Sequence, residues 1–461
     1  MRSGGAWCCE PADNFDPGVL RHHRLLLPAG KHAQHTHDEE DAPRGRRTQE
    51  ATMDVLYERC CGLDIHKRTA VACLVVPGPT GATTKEVRSF GTMTDDLMCL
   101  ADWLAANAVT HVAMESTGVY WKPVWNLLEG QFELLLVNAR HVKAVPGRKT
   151  DAKDCEWLAD LLRHGLLRGS FVPERPQREL RELTRYRTSL VQERSAEVNR
   201  LQQTLEGANI KLGDVATDIM GLSSRQMLAA LAGGETDAAA MAQLAQGRLR
   251  DTLPAFERAL AGRVGSHQRF LLARQLAHIA FLDASITEVS TEIAERLRPF
   301  AAELEQLATI PGVGRRTAEV LVAEIGTDMS RFPTSGHLAS WAGMCPGNDE
   351  SAGKRRSGKT RKGSPWLRST LIEAARAAGR TKGTYLAAQY HRLAARRGTK
   401  RAAVAVGHTI LVIAYRLLSE GDVYRELGDR YFDERDRHAV ERRLVARLEG
   451  LGYTVSLDPA A

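Results

Sequence analysis

Between Arg148 and Leu162 the chain reads RKTDAKDCEWLADLL, with two aspartates three residues apart at the opening of an amphipathic helical pattern. Asp151 has an ordinary use there: its side chain can accept a backbone N–H of the first turn, and its charge suits the positive helix end. That use leaves Asp154 over, on the same face, because side chains three apart on a helix lie one above the other. Two carboxylates on one face can hold a divalent cation if further oxygen ligands come from elsewhere. Asp64 is one source, since a charge inside the apolar run CCGLDI is costly unless it is paired or bound to a cation. Glu115 is another, at the end of the apolar run HVAMES, where the chain turns toward Gly118.

Each acid taken singly has a plain explanation: a turn residue, a solvated strand end, a helix cap, a surface charge. Asp64, Glu115, Asp151 and Asp154 together fall on a first strand, a fourth strand and a closing helix. A ribonuclease-H-like fold gathers carboxylates in that way around Mg²⁺, and two such ions ~3.5–4 Å apart stabilise the attacking and leaving oxygens at a phosphodiester. The elements that must position them are legible. Strands are expected at CCGLDI, TAVACLVV, EVRSFGT, THVAMES and FELLLVNA, with helices after the third, fourth and fifth. Three strands without intervening helices predict an antiparallel meander followed by parallel strands. Tyr120 and Trp121 are expected to pack the following helix.

A second set of residues lies toward the C-terminus. PGVGRR, Pro311 to Arg316, opens a helical pattern, and its glycines let backbone amides approach a phosphate while Arg315 and Arg316 add charge. This is the helix-hairpin-helix pattern of sequence-independent DNA binding; an ordinary tight turn is the alternative. SAGKRRSGKTRKG carries Lys354, Arg355, Arg356, Lys359, Arg361 and Lys362 with no acid, and reads as a mobile basic loop suited to a nucleic-acid backbone. It does not match GxxxxGK[ST], so nucleotide hydrolysis is not read here.

The 461 residues hold 63 Lys and Arg against 56 Asp and Glu, a net charge of +7, which favours a polyanionic partner. The 8 cysteines show no CxxC pair and read as free thiols of a reducing cytoplasm. No apolar run is expected to reach the ~18–20 residues that cross a bilayer, and no compact apolar leader opens the chain. Residues 1–52 read as a disordered extension, and histidines 22, 23, 32, 35 and 37 within it are not read as a metal site, because low-complexity His tracts bind metals only weakly and adventitiously. Met53, just before the first strand, is a candidate translation start.

The expected domains are 53–172, the four-acid α/β domain; 173–308, an arm; and 309–461, a mainly helical C-terminal domain. Pro173 and Pro176 mark the first break. Arg178 to about Leu212 and Ala255 to about Leu307 read as long charged helices, with Leu180, Leu183, Leu190, Val198, Leu201 and Leu205 on one stripe, pairing as an antiparallel coiled coil or in an oligomer. The C-terminal HAVERRLVARLEGLGYTVSL reads as a helix and a short strand.

Five segments together carry a family resemblance: GLDIHK, AMESTGVYW, VNARHVKAVPGRKTDAKDCEWLADLLRHG, IPGVG and LASWAGMCPGNDESAGKRRSGKTRKGSPWLRSTLIEAA. The chain resembles the DEDD transposases of the insertion-sequence-110 family, the bridge-RNA-guided recombinases, from Met53 to the C-terminus. The resemblance implies a RuvC-like N-terminal domain whose acids bind Mg²⁺, here Asp64, Glu115, Asp151 and Asp154. It implies a nucleophilic serine in the C-terminal domain, placed at Ser351 by its SxGK context. It also implies a guide RNA beside the DNA. Since the serine and the acids lie in different domains, the active site is expected to assemble between domains or subunits, and a homodimer or homotetramer bridging two DNA segments follows. RKGS stands where the family pattern has RxGN, so Ser364 replaces an asparagine.

The expected activity is therefore excision and insertion of an insertion sequence through a covalent phosphoserine. A RuvC-like Holliday-junction or structure-specific nuclease that activates water is the nearer alternative. A non-catalytic nucleic-acid-binding protein is the more distant one. A cytoplasmic protein without membrane contact is expected in each case.

Overall fold

The computed structural model describes residues 54–78, 82–116, 118–138, 142, 154–347, 349–351, 354–357 and 359–457, with the two short runs around 349–357 as backbone alone. The N-terminal extension, its histidines and Asp151 lie outside the described residues. The rest falls into two compact units, one ending at Pro173 and the other beginning at Glu174.

The first unit is built on a five-stranded mixed sheet in the order β3-β2-β1-β4-β5. Strands β1 (Cys60–Ile65), β2 (Thr69–Pro77) and β3 (Thr83–Gly91) run antiparallel as a meander; β4 (His111–Glu115) and β5 (Glu133–Val137) join β1 in parallel. All five expected strands and their directions are found, an arrangement compatible with the ribonuclease-H-like reading. Strands buried on both faces need apolar residues at successive positions, and CCGL of β1 and VAM of β4 supply them.

Helices α1 (Thr94–Ala106) and α2 (Trp121–Leu128) cover one face, packing Leu97, Leu100, Leu104, Val124 and Leu128 on Leu63, Ile65, Val112 and Met114. Trp121 joins this core as expected, edge-on to Trp125 at 5.8 Å, whereas Tyr120 is exposed. Helix α3 (Asp154–Arg163) covers the other face, setting Cys155, Leu158, Ala159 and Leu162 on Cys60, Cys73, Val75, Ala113 and Val137.

The second unit is helical. Helix α4 (Arg175–Gly207) starts at the proline break, and α9 (Ser266–Arg296) runs antiparallel to it, as Arg296–Glu179, Arg194–Asp283 and Gln275–Thr204 contacts along their lengths require. Between them come α5 (Leu212–Val215), α6 (Leu222–Gly233), α7 (Ala238–Ala242) and α8 (Leu253–Leu260), around a core of Leu201, Leu205, Met227, Phe256 and Leu272. The helix expected from Ala255 to Leu307 is in fact three. It breaks at Gly262, which lies so close to the carbonyls of Ala208 and Asn209 that no Cβ would fit, and again at Pro299. There follow α10 (Ala301–Ala308), α11 (Arg315–Ile325), α12 (Ser335–Trp341), the hairpin β6 (Asp349–Ser351) and β7 (Lys354–Ser357), α13 (Pro365–Ala378), α14 (Tyr385–Arg397) and α15 (Thr399–Glu420). Helices α16 (Tyr431–Arg435) and α17 (Arg437–Glu449) end the fold.

Three further expectations are corrected. The basic segment is not an open loop: β6 and β7 pair antiparallel, with Ser351 opposite Lys354. The strand expected after α17 does not form among the described residues, and Tyr453 and Leu457 stay exposed. Helix α15 is, by length and composition alone, apolar enough to cross a membrane, against the expectation that no such segment exists. Its apolar residues are spent on packing within the unit: Ala402, Val406, Ile410, Leu411 and Ala414 are buried.

Candidate functional site

Asp64 and Glu115 occupy the C-terminal ends of β1 and β4, neighbouring parallel strands paired Leu63 to Met114. Side chains alternate across a sheet, so both acids point away from Leu63 and Met114 and share the face of Cys60, Gly62 and Ala113. That is the face covered by α3. Gly62 makes the approach possible: a Cβ there would stand 2.3 Å from the carbonyl oxygen of Cys155 and 2.5 Å from the Ala159 nitrogen. The first turn of α3 is thus pinned over β1, two residues before Asp64, and Asp154 is the residue that opens it.

Asp64 and Glu115 therefore share one end of one face, and Asp154 opens the helix that covers it. Asp154 is exposed; Glu115 is half-buried; Asp64, with 24% of its side chain exposed, lies 3.2 Å from His66 Nε2. The Cys155 thiol registers this surrounding charge. Burial first, then Glu156 and Asp64, push its pKa above the ordinary value. Burial likewise lifts Cys60 to about 11 and Cys73 to about 12, so the floor beneath the carboxylates stays uncharged at neutral pH. Carboxylates are the donors a hard divalent cation takes, and in that respect the residues fit Mg²⁺. Among the described residues, no three His, Cys, Asp or Glu side chains group closely enough to enclose a metal by themselves.

In the second unit, the PGVG turn does open a helix. Gly312 has φ +86°, and a Cβ on it would lie 2.4 Å from the Ala374 carbonyl of α13, so glycine is required twice over. Gly314, the residue before α11, has open space around it. Arg315 is exposed but shared with Glu319 at 3.2 Å; Arg316 is exposed. Lys359, Arg361 and Lys362 are exposed beyond β7. Ser351, Lys354, Arg355, Arg356 and Ser357 are placed by backbone only, with Ser351 as the last residue of β6 beside the hairpin turn.

Two positioning contacts carry no sequence signal. Arg368 on α13 donates from Nη1 to the Gly343 carbonyl and to Thr360 Oγ1, both at 2.7 Å, tying the two limbs at the hairpin base. Ser364 caps α13 by accepting from the Leu367 N–H, and its hydroxyl donates to Glu324 Oε2 at 3.1 Å. The serine that replaces the family's asparagine is therefore satisfied locally. Glu324 is fully buried and takes Arg185 in a two-point pair at 2.7 and 2.9 Å.

Comparison with known proteins bears on both units. A DEDD transposase family model matches residues 61–210, and a transposase model of the IS116/IS110/IS902 family matches residues 304–391. A probable family 20 transposase of Pseudomonas aeruginosa is 28% identical over 322 residues, 68% of this chain and 85% of the relative. The transposase of insertion sequence element IS1111A from Coxiella burnetii is 25% identical, over 63% of this chain and 72% of the relative. An uncharacterised protein of insertion element IS116 from Streptomyces clavuligerus is 31% identical, over 49% and 62%.

Proposed function

Because the chain belongs to the IS110 family of transposases, we propose that it excises and inserts its element with Ser351 as nucleophile and Asp64, Glu115, Asp151 and Asp154 as holders of Mg²⁺. The observation that carries this reading is the convergence of Asp64 and Glu115 on the sheet face over which Asp154 opens α3. The acids hold the ion, and when bound it withdraws charge from the scissile phosphate. The Ser351 hydroxyl attacks phosphorus: an Oγ–P bond forms, the bond to the leaving deoxyribose oxygen breaks, and that oxygen takes up the proton the serine gives up. The phosphodiester that results keeps the bond energy, so a second strand's hydroxyl rejoins DNA by the reverse step. Arg315, Arg316, Lys359, Arg361 and Lys362, together with Lys354, Arg355 and Arg356 of the hairpin, hold the DNA backbone.

The reading includes a guide RNA, which the family resemblance implies. It also includes a homodimer or homotetramer that brings two DNA segments together, and a cytoplasmic location. The experiment is covalent trapping on cut DNA. Ser351→Ala should remove adducts and keep DNA binding, while Ser357→Ala and Ser364→Ala keep adducts. Adducts that survive Ser351→Ala move the nucleophile, and cleavage by wild type without any adduct supports the water-using nuclease instead.

A further inference from the structure

Positive charge in this chain is concentrated in one block. Residues 351–419 hold 16 Lys and Arg and a single acid, Glu373, which leaves 47 Lys and Arg against 55 Asp and Glu elsewhere. The hairpin region accounts for the first part of the block. The second part, residues 374–419, contains no acid and has its densest cations where α14 meets α15: Arg396, Arg397, Lys400 and Arg401. A single residue, Gly398 at φ +83°, joins the two helices, so the four cations crowd around one turn.

The end of α14 favours Arg396 and Arg397 through its helix dipole, but fold stability does not explain Lys400 and Arg401. All four are exposed, and among the described residues Arg396, Lys400 and Arg401 pair with no carboxylate. Lys400 and Arg401 occupy the first turn of α15, which has no acid and where the helix dipole disfavours positive charge. Like charges this close repel one another, and a polyanion relieves that cost. An anionic lipid surface would need apolar side chains to insert beside the cations. None is there: no large hydrophobic residue between Tyr385 and Glu420 is exposed.

We propose that the α14–α15 turn is a further phosphate-contacting surface for double-stranded DNA, built by Arg396, Lys400 and Arg401 with Arg397, and distinct from the PGVG turn and the β6–β7 hairpin. Its choice of DNA rests on the proposed function. These cations contact phosphates along the duplex and make binding tighter and more salt-dependent, without contributing to sequence choice.

The test is the salt dependence of binding by the full chain to a labelled duplex of random sequence. Removing one cation from a phosphate lowers the slope of log K against log salt by about 0.9, so Arg396→Gln/Lys400→Gln/Arg401→Gln together should lower it by roughly 3. An unchanged melting temperature and helical circular dichroism in the same variant show that the fold is kept. A wild-type slope in the folded variant overturns the proposal. So does a weakening confined to single-stranded RNA, or one confined to phosphatidylserine vesicles. Ser351→Ala, measured alongside, should keep the wild-type slope while losing adducts. If wild type forms no adducts yet the triple variant still has the lower slope, the reaction reading fails and this surface stands.

Discussion

In the α/β unit the interior beneath Asp64 and Glu115 is made of thiols, alanine and aliphatic side chains, and charge is kept to the strand ends. In the helical unit, Glu319 and Glu324 lie inside, 7% and 0% exposed at their side chains, against Arg187 and Arg185. The first arrangement sets the carboxylates at the edge of the sheet, Asp64 beside His66, where they are proposed to take an external cation. The second uses its buried acids on arginines of α4, and the buried Arg181 of that helix donates to the carbonyls of Ala323 and Glu324. Buried acids paired with arginines thus mark the frame of the helical unit, whereas the candidate site acids of the α/β unit stand at strand ends and at a helix start.

Removing a site acid is the sharpest way to break this contrast. Asp64→Asn and Asp154→Asn should each lower strand cleavage by about 10²–10³-fold in a gel assay, with melting temperature unchanged or raised. If Asp154→Asn cleaves at the wild-type rate, its charge at the helix start is only solvated.

Packing comes next. Gly62→Ala places a methyl against the α3 backbone at Cys155 and should cost roughly 2–3 kcal/mol by denaturant unfolding, displacing Asp154 with the helix. Gly314→Ala, with open space around it and φ −84°, should stay within about 0.5 kcal/mol. Equal losses at the two positions would show that α3 does not depend on Gly62.

In the helical unit the largest effect should come from Glu324→Gln, which leaves Arg185 without its charge partner and weakens the Ser364 bond. Removing one member of a buried pair is strongly destabilising, but Arg185 is 34% exposed, so about 2 kcal/mol is expected.

Among the charge removals, the smallest effect is expected in the arm. Burial alone would raise the Asp283 carboxyl, but hydrogen bonds from Arg194 and Arg225 outweigh it and hold the pKa below its ordinary value. A lowered folded-state pKa contributes stability that is present above the unfolded value, ~3.9, and is lost as pH falls through the folded value. Thermal melts taken from neutral pH to about pH 3 should show Asp283→Asn losing less stability than wild type over that range, and being about 1 kcal/mol weaker at neutral pH. Parallel pH profiles for the two proteins would remove Asp283 from the frame.

By itself the sequence was enough to place the five strands, their directions, the break at Pro173 and the glycine turn before α11. Each depends on near neighbours: alternation within six residues, a proline that cannot continue a helix, a glycine that can take positive φ. The two-aspartate segment was legible as a helix start, and Asp64 and Glu115 as misfits in apolar strands. It took the tertiary structure to show why Gly62 separates two cysteines from an aspartate, because the atoms that forbid a side chain there belong to Cys155 and Ala159 on another element. The basic segment read as a loop because its strands contain no apolar alternation; β6 and β7 are held instead from outside, by Arg368 across their base. Arg185 and Glu324 stand 139 residues apart, and Arg187 and Glu319 stand 132 apart. Local propensity says nothing about such pairs. Which charged face of α4 becomes interior is decided only when α11 packs against it, since burial removes water from both groups at once and leaves each the other as its partner.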